Sequence, residues 1–313
     1  MYLIADVGAT KTRCALLDDK GGVLAPDIFH NADFTGLSGL LDVYLSHRRT
    51  SDQPRRAALA IAAPILGDQV RMTNIDWAFS RSELEQHLRL THLTVVNDFA
   101  AIAWALPDLG PSELKQVGRG APAPLTPLAV LGPGSGLGVA TLVPSADSWA
   151  VASGEGGNVS VATITAKETA VAELIRTERG HCSAEDLLSG RGLVNIRAAL
   201  SKLSGDATPA MSPEEIAAAA AQGNPLAEEA RSLFFALLGT VAGNLALTVG
   251  ARGGVFIAGG IIPQLLDAFV TSEFRDRFEA KGRYRAYMEA IPTYVVTEPL
   301  PAFRGLRKLL GYK

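Results

Sequence analysis

Tyr2-Leu3-Ile4-Ala5-Asp6-Val7-Gly8-Ala9-Thr10-Lys11-Thr12-Arg13-Cys14-Ala15-Leu16-Leu17 decides how the rest of the chain is read. Tyr2 to Asp6 and Thr12 to Leu17 are short apolar runs that read as two strands, and the glycine-bearing link between them reads as a hairpin turn. A carboxylate, Asp6, ends the first strand, and Thr10 sits in the turn. Glycine lets backbone N–H groups come close to a bound anion, and a hydroxyl can join them. Asp6 stands where a carboxylate could hold a metal ion carried by that anion. The stretch fits a nucleotide-phosphate loop without the usual P-loop, and it also fits a plain hairpin. Residues further along the chain separate the two.

The chain has 313 residues, of which 48% are hydrophobic and 19% charged, so it can bury a sizeable core in one large domain or two. A formal net charge of −3 gives no electrostatic footprint for nucleic acid. Cys14 and Cys182 have no partners at metal-ligand spacing, which leaves neither a zinc signature nor a disulfide framework. The N-terminal residues lack the basic start and long apolar stretch of a signal peptide, so the expected location is the cytoplasm, with no membrane partner. Leu233 to Val249 is the most apolar long segment. It is marginal for a bilayer span and reads better as a buried core helix.

Strands and helices alternate outward from the hairpin. Gly36 to His47 reads as an amphipathic helix, Arg56 to Ala63 as a buried strand, and Pro64 to Asn74 as a loop or short hairpin. Ser80 to Leu88 reads as a helix with Ser80 as N-cap and Glu83 closing a capping box. Leu93 to Val96 is a short strand and Phe99 to Leu106 a helix, and the Pro- and Gly-rich Pro107 to Pro127 is a candidate domain crossing. The pattern then restarts with Leu128 to Leu131, a glycine-rich turn from Gly132 to Gly138, and Val139 to Val143, which suggests a duplicated α/β core. Ser212-Pro213-Glu214-Glu215 and Asn224-Pro225 start helices, the second running to about Val249. Gly239 and Gly243 share a face of that helix, where a neighbouring backbone could pack. Gly253 to Ala258 reads as a buried strand, followed by Gly259-Gly260 and a helix near Pro263. The alternation argues for parallel sheets covered on both faces.

Functional groups in such sheets gather beyond the carboxyl ends of the strands. Asn97-Asp98 ends one strand and opens a helix; Asp98 reads as a general base with Asn97 as a partner for a polar substrate, or the pair as an N-cap. Glu155 and Asn158, in Gly154-Glu155-Gly156-Gly157-Asn158, could bond sugar hydroxyls, or the turn could be a plain surface loop. Ser183-Ala184-Glu185-Asp186 reads as the start of a helix at Leu187, with Glu185 in a cleft or merely complementing the helix dipole. The turns at Gly132 to Gly138 and Gly259-Gly260 could approach phosphates and a nucleobase. Neither the dinucleotide fingerprint nor a Walker motif is present. The five histidines show no metal-ligand pairing, and the serines sit in no nucleophile elbow.

Taken in order, DVGATKTRCALLD, PILGDQVRMTNIDWAFS, VVNDFAAIA, GPGSGLGVA, GEGGNV, SAEDLLSGRGLVN, GNLAL and GGVFIAGGIIP resemble the bacterial glucokinases over nearly the whole chain. These belong to the hexokinase-like group of the actin-like ATPase superfamily. The resemblance implies an α/β, two-domain, ribonuclease H-like fold with duplicated βββαβα-type cores and an inter-domain cleft. It implies a small domain over 1–106, completed by a C-terminal helix at about 299–313, and a large domain over 107–298. It implies ATP and Mg²⁺ as cofactors, glucose or a similar hexose as substrate, and a homodimer. By the same resemblance Asp98 is the catalytic base. Asn97, Glu155, Asn158 and Glu185 hold the sugar. Asp6, Gly8, Ala9, Thr10 and Lys11 form the first phosphate loop, with Asp6 near Mg²⁺. Gly134, Ser135 and Gly136 form the second, and Gly259 and Gly260 face the adenosine.

The chain departs from the family pattern at three positions. Histidine is common where it has Asn158, a second glycine where it has Ala9, and asparagine where it has Lys11. Asn158 can still donate and accept. The zinc-binding cysteine cluster and the helix-turn-helix of the related repressor–kinases are missing, which argues against a DNA-binding regulator. The expected function is ATP-dependent phosphorylation of glucose at the 6-hydroxyl. The alternatives are a kinase for another hexose or amino sugar, and a non-catalytic sugar-sensing paralogue.

Overall fold

A computed structural model describes residues 1–48, 53–146, 148–205 and 209–312. The chain divides into two compact units: Met1–Leu109 with Val151–Gly154 and Glu298–Lys313, and Gly110–Ala150 with Glu155–Thr297.

In the first unit β1 (Tyr2–Val7), β2 (Lys11–Leu17) and β3 (Val23–His30) run antiparallel in sequence, and α1 (Leu37–Ser46) follows. β4 (Arg56–Ile61) joins β1 in parallel. A hairpin of β5 (Gln69–Arg71) and β6 (Ala78–Ser80), then α2 (Arg81–His87), leads to β7 (His92–Asn97), which lies parallel to β4. α3 (Asp98–Ala105) starts directly from β7. The five-stranded order is β3-β2-β1-β4-β7.

The sheet is mixed, not all parallel as the alternation suggested. The physical reason is the length of the first link. Gly8–Thr10 can join only antiparallel neighbours, because a parallel connection needs a crossover of a dozen or more residues. Leu3, Ala5 and Val7 alternate onto one face, where they meet Leu40, Tyr44, Leu59, Ile61, Trp77 and Val95. Ile4, Ala58 and Ala60 are equally buried on the other face, so the centre of the sheet is covered on both sides. Ser80 caps α2 by accepting from the Glu83 N–H at 3.1 Å. Its hydroxyl also donates to Asp68 at 2.6 Å, and the cap is one-sided, without the reciprocal bond from the Glu83 carboxylate to the Ser80 N–H.

The second unit holds β8 (Leu114–Val117), β9 (Leu128–Pro133), β10 (Leu137–Ser145) and the start of β11 (Ser148–Gly154), whose residues from Val151 on are grouped with the first unit. Four longer helices follow: α4 (Ala166–Arg179), α5 (Gly190–Ser204), α6 (Pro213–Ala221) and α7 (Pro225–Val249). Then come β12 (Gly254–Ile257), α8 (Ile261–Gln264), α9 (Leu266–Val270), α10 (Phe274–Glu279), α11 (Arg285–Glu289) and β13 (Thr293–Val296). The six-stranded order is β11-β10-β9-β12-β13-β8. β9 and β10 are antiparallel, and β12 runs parallel to both β9 and β13.

α7 is long and apolar enough to cross a membrane by length and composition, but 67% of its most apolar window is buried within the protein. It carries Phe234, Phe235, Leu237, Leu238 and Ala242 into the core of this unit, as the core-helix reading expected. Gly239 and Gly243 do face a neighbouring backbone. A Cβ at these positions would lie 2.2 Å from the Phe274 carbonyl oxygen and 2.6 Å from that of Phe278, both on α10. α4 has no counterpart in the sequence reading, although its start carries a full capping box between Thr165 and Glu168.

The segment from Ser183 also differs. It forms a single turn in place of a helix at Leu187: Ser183 and Asp186 bond reciprocally as at a helix start, and the Leu187 and Leu188 N–H groups close onto Ala184 O, but the turn does not continue as a helix. α5 begins only at Gly190, capped by Ser189.

The chain then returns to the first unit as α12 (Pro301–Leu309) and packs on α3; Lys313 lies outside the described residues. Gly305 sits so close to Ala101 that an added Cβ would fall 1.7 Å from its carbonyl oxygen.

Candidate active site

The candidate residues in the first unit stand at one edge of its sheet. Asp6 is level with Ala60 across β1 and β4, and Asn97 is level with Ile61 across β4 and β7. The hairpin turn and the start of α3 therefore emerge on either side of β4, two strand spacings or about 10 Å apart.

The Asp6 side chain is only 20% exposed, and its Oδ2 lies 3.3 Å from Arg13 Nη1, the residue opposite it on β2. Burial raises the Asp6 pKa above the ordinary carboxylate value, and the Arg13 charge opposes that rise. Gly8 closes the turn by donating its N–H to Lys11 O at 3.1 Å. Ala9, Thr10 and Lys11 line the outer side of the turn, with Thr10 and Lys11 exposed. Sequence reasoning missed Asn31, which follows β3 and is 4% exposed. Its side-chain amide donates to Gly8 O at 2.8 Å and to Ala9 O at 3.2 Å. The signal was hidden because β3 alternates poorly and carries Pro26, so no strand was expected to bring Asn31 back to the turn.

The ambiguity at Asn97-Asp98 divides between the two residues. Asn97 is the N-cap of α3: its Oδ1 accepts from the Phe99 N–H at 3.0 Å and the Ala100 N–H at 3.2 Å. Its amide group donates to Ala63 O at 3.3 Å, with a second N–H hydrogen to offer. Asp98 is the first helical residue, and its Oδ1 also accepts from the Phe99 N–H, at 2.9 Å.

In the second unit the structure brings together Glu155, Glu185 and the second glycine turn. Glu185 Oε2 accepts from the Leu137 N–H at 2.8 Å, immediately after Gly134-Ser135-Gly136. A Cβ on Gly136 would lie 2.5 Å from that same oxygen, so a side chain there would push the carboxylate aside. The Glu185 N–H donates to Gly157 O at 2.8 Å, which ties the carboxylate to the Gly154–Asn158 turn. That turn contains a short 3-10 helix over Gly156–Asn158, and the Asn158 N–H closes onto Glu155 O at 2.9 Å. Glu155 and Asn158 are exposed. Partial desolvation of the Glu155 carboxyl raises its pKa, and the Glu185 charge raises it further.

The second glycine turn is anchored at both ends. Gly134 N–H donates to Gly136 O at 2.8 Å, and Gly190 N–H, at the start of α5, donates to Gly134 O at 2.9 Å. Gly259 has φ +83 and packs on the end of β9, where a Cβ would lie 2.5 Å from Pro133 O. Gly260 precedes α8 with open space around it. Two glycine turns, one after β9 and one after β12, therefore lie against each other. Two carboxylates stand beside the first, a donor and acceptor set suited to a polyhydroxylated molecule near phosphate.

Comparison with known proteins agrees with this chemistry. The family model described as glucokinase matches residues 3–311. A glucokinase of Paramagnetospirillum magneticum is 45% identical over 312 residues, covering 99% of this chain and 97% of its own. The crystal structure of a glucokinase from an Antarctic psychrotroph has a TM-score of 0.85 at 35% identity, covering 99% of this chain and 98% of that one. In fold alone, the chain also resembles a ROK family glucokinase from Streptomyces griseus solved with glucose and AMPPNP. That match has a TM-score of 0.65 at 19% identity, over 98% of each chain. The chain belongs to the glucokinase family, and its reaction is the ATP-dependent phosphorylation of glucose.

Proposed function

We propose that Asp98 takes the proton of the glucose 6-hydroxyl as that oxygen attacks the γ-phosphorus of ATP. The bond from O6 to phosphorus forms, the bond from the γ-phosphorus to the bridging β-oxygen breaks, and glucose 6-phosphate and ADP leave. The observation that carries this reading is the shared sheet edge. Asp98 begins α3 across β4 from the turn after β1, and Asn97, not Asp98, is the N-cap that accepts from the Ala100 N–H. Phosphoryl transfer is mostly positioning and charge neutralisation, so one carboxylate that orients the nucleophile is the main demand on side-chain chemistry.

Asn97, Glu155, Asn158 and Glu185 bind the sugar hydroxyls in this reading. Gly8 to Lys11 and Gly134 to Gly136 receive the phosphates, and Gly259 and Gly260 face the adenosine. No group of three or more His, Cys, Asp or Glu ligands occurs among the described residues. The single carboxylate of Asp6 fits a Mg²⁺ that arrives on the nucleotide and keeps several waters. When bound, that ion neutralises phosphate charge. Asp6 would hold it through water, while Arg13 fixes the carboxylate from the other side.

The wider reading is an actin-like fold with duplicated cores. The matching strand orders, β3-β2-β1-β4-β7 and β11-β10-β9-β12-β13, support it. It carries a small domain over 1–106 completed by the C-terminal helix, a large domain over 107–298, and a homodimer working in the cytoplasm. The test is ADP release with Mg-ATP and a panel of glucose, mannose, fructose, galactose, glucosamine and N-acetylglucosamine. Glucose is expected to give the highest kcat/KM. Preference for another sugar would move the assignment to that substrate and point to Asn158.

A further inference from the structure

The Asn31 side chain makes three hydrogen bonds at the foot of the first turn. Its Nδ2 donates to Gly8 O at 2.8 Å and Ala9 O at 3.2 Å, and its Oδ1 accepts from the Thr12 hydroxyl at 2.8 Å. Its backbone N–H donates to Thr10 O at 3.0 Å. Both Asn31 and Thr12 are buried, at 4% and 0% exposure. The orientation of the amide follows from chemistry. Two carbonyl oxygens can only accept, so they must face the NH₂, and the remaining oxygen must face the hydroxyl.

A peptide group is planar, and its C=O and N–H point in opposite directions. Holding Gly8 C=O therefore fixes the direction of the Ala9 N–H, and holding Ala9 C=O fixes that of the Thr10 N–H. Both N–H groups are turned away from Asn31. Successive N–H groups held on one side of a turn form an anion-binding concavity. Ala9 has less backbone freedom than glycine but still has several allowed conformations, and the bond to its C=O selects among them.

We infer that Asn31, oriented by Thr12, is a positioning residue for ATP: it pre-sets the backbone donors of Ala9 and Thr10 toward the nucleotide phosphates. The inference rests on the assignment of Gly8 to Lys11 as a phosphate loop. It assigns Asn31 no contact with substrate, so its effect must pass through the loop and fall on ATP, leaving glucose recognition unchanged.

The test uses the full-length enzyme with Asn31→Leu, which is neutral and similar in size, and with Thr12→Val and Thr12→Ser. Initial rates are measured against ATP and against glucose separately, and ADP affinity by calorimetry without turnover. Asn31→Leu is expected to raise the KM for ATP and the Kd for ADP roughly tenfold, the scale of losing two hydrogen bonds, while the KM for glucose stays within about twofold. Thr12→Val is expected to move the same two constants by a smaller factor, and Thr12→Ser, which keeps the hydroxyl, to restore them. Nucleotide constants within about twofold of the parent, or an equal rise in both KM values, would overturn the inference. If Asn31→Leu does not fold, the Thr12 pair decides: Thr12→Val with unchanged ADP affinity overturns it. Absence of glucose turnover in the unsubstituted enzyme would undo the parent assignment instead, and the nucleotide-affinity comparison would still read out.

Discussion

Glu185 Oε2 accepts a hydrogen bond from the backbone N–H of Leu137 at 2.8 Å, so a carboxylate assigned to the sugar also braces the turn assigned to phosphate. Its second oxygen lies 4.0 Å from Arg191, at the start of α5. Glu185→Ala would remove both links at once. The expected result is a rise of roughly tenfold or more in the KM for both glucose and ATP, since losing a charge-assisted bond costs about 1.5–3 kcal/mol. Separate saturation curves for the two substrates check this, and a change confined to glucose would show that the brace does not matter.

Glu155 feels that same carboxylate. Desolvation first, and Glu185 second, raise its pKa, so it holds its proton at a pH where an ordinary glutamate has lost it. If Glu155 accepts from a sugar hydroxyl as the carboxylate, the acid limb of kcat/KM for glucose begins above the usual carboxylate range. Glu185→Gln removes the neighbouring charge and should move that limb to lower pH, whatever it does to the plateau. A pH profile of each enzyme gives the comparison, and a limb that stays in place would detach Glu155 from glucose recognition.

Stability should depend on one buried ion pair in the second unit. Glu168 on α4 is fully buried and bonds Arg277 Nη1 at 2.6 Å, while Arg277 Nη2 reaches the Thr240 hydroxyl at 2.9 Å. Burial alone would raise the Glu168 pKa, but the bonds from Arg277 and the Ile164 and Thr165 N–H groups outweigh it and lower the value. The folded pKa lies below the unfolded one, so this contribution is present above about pH 4.3 and is lost as pH falls through the folded value. Glu168→Ala leaves Arg277 buried without its partner and should cost about 3–5 kcal/mol in urea unfolding at pH 7. The cost should shrink on acidification; a constant difference down to the acid limb would argue against an ionised Glu168.

In the first unit, Gly305→Ala should separate α12 from α3, because the new Cβ would overlap the Ala101 carbonyl oxygen. An overpacked contact costs about 1–3 kcal/mol, occasionally more, and here the obstacle is backbone that cannot rotate away. Gly39→Ala on α1, with open space around it, is the control and should be neutral or slightly stabilising. Equal melting temperatures for the two variants would contradict the close approach.

The local signals in the chain were legible where they were self-contained. The turn from Gly8 to Lys11, the strand and helix meeting at Asn97-Asp98, and the small-residue face at Gly239 and Gly243 each depend on residues a few positions apart. What the sequence hid was pairing at long range. β3 reads poorly because Val23, Leu24 and Ile28 are exposed, Pro26 interrupts the strand and its pattern does not alternate, yet it delivers Asn31 to the turn. The turn after Ser183 reads as a helix start because Glu185 and Asp186 suit one. Ser183 and Asp186 do pair as at a helix start, but only one turn forms before the chain is capped again at Ser189, where the helix begins. The division of labour between Asn97 and Asp98 was similarly closed to sequence reasoning, since either residue type can cap a helix.

The proposed mechanism turns on Asp98 as the base, and Asp98→Asn tests that role. Glucose-dependent ADP release is measured beside glucose binding by calorimetry. With Asp98 as base, kcat should fall by roughly 10²–10⁴ while the Kd for glucose changes little, because the amide keeps the size and polarity of the carboxylate but cannot take the proton. A variant that kept near-normal turnover would contradict the assignment of the base.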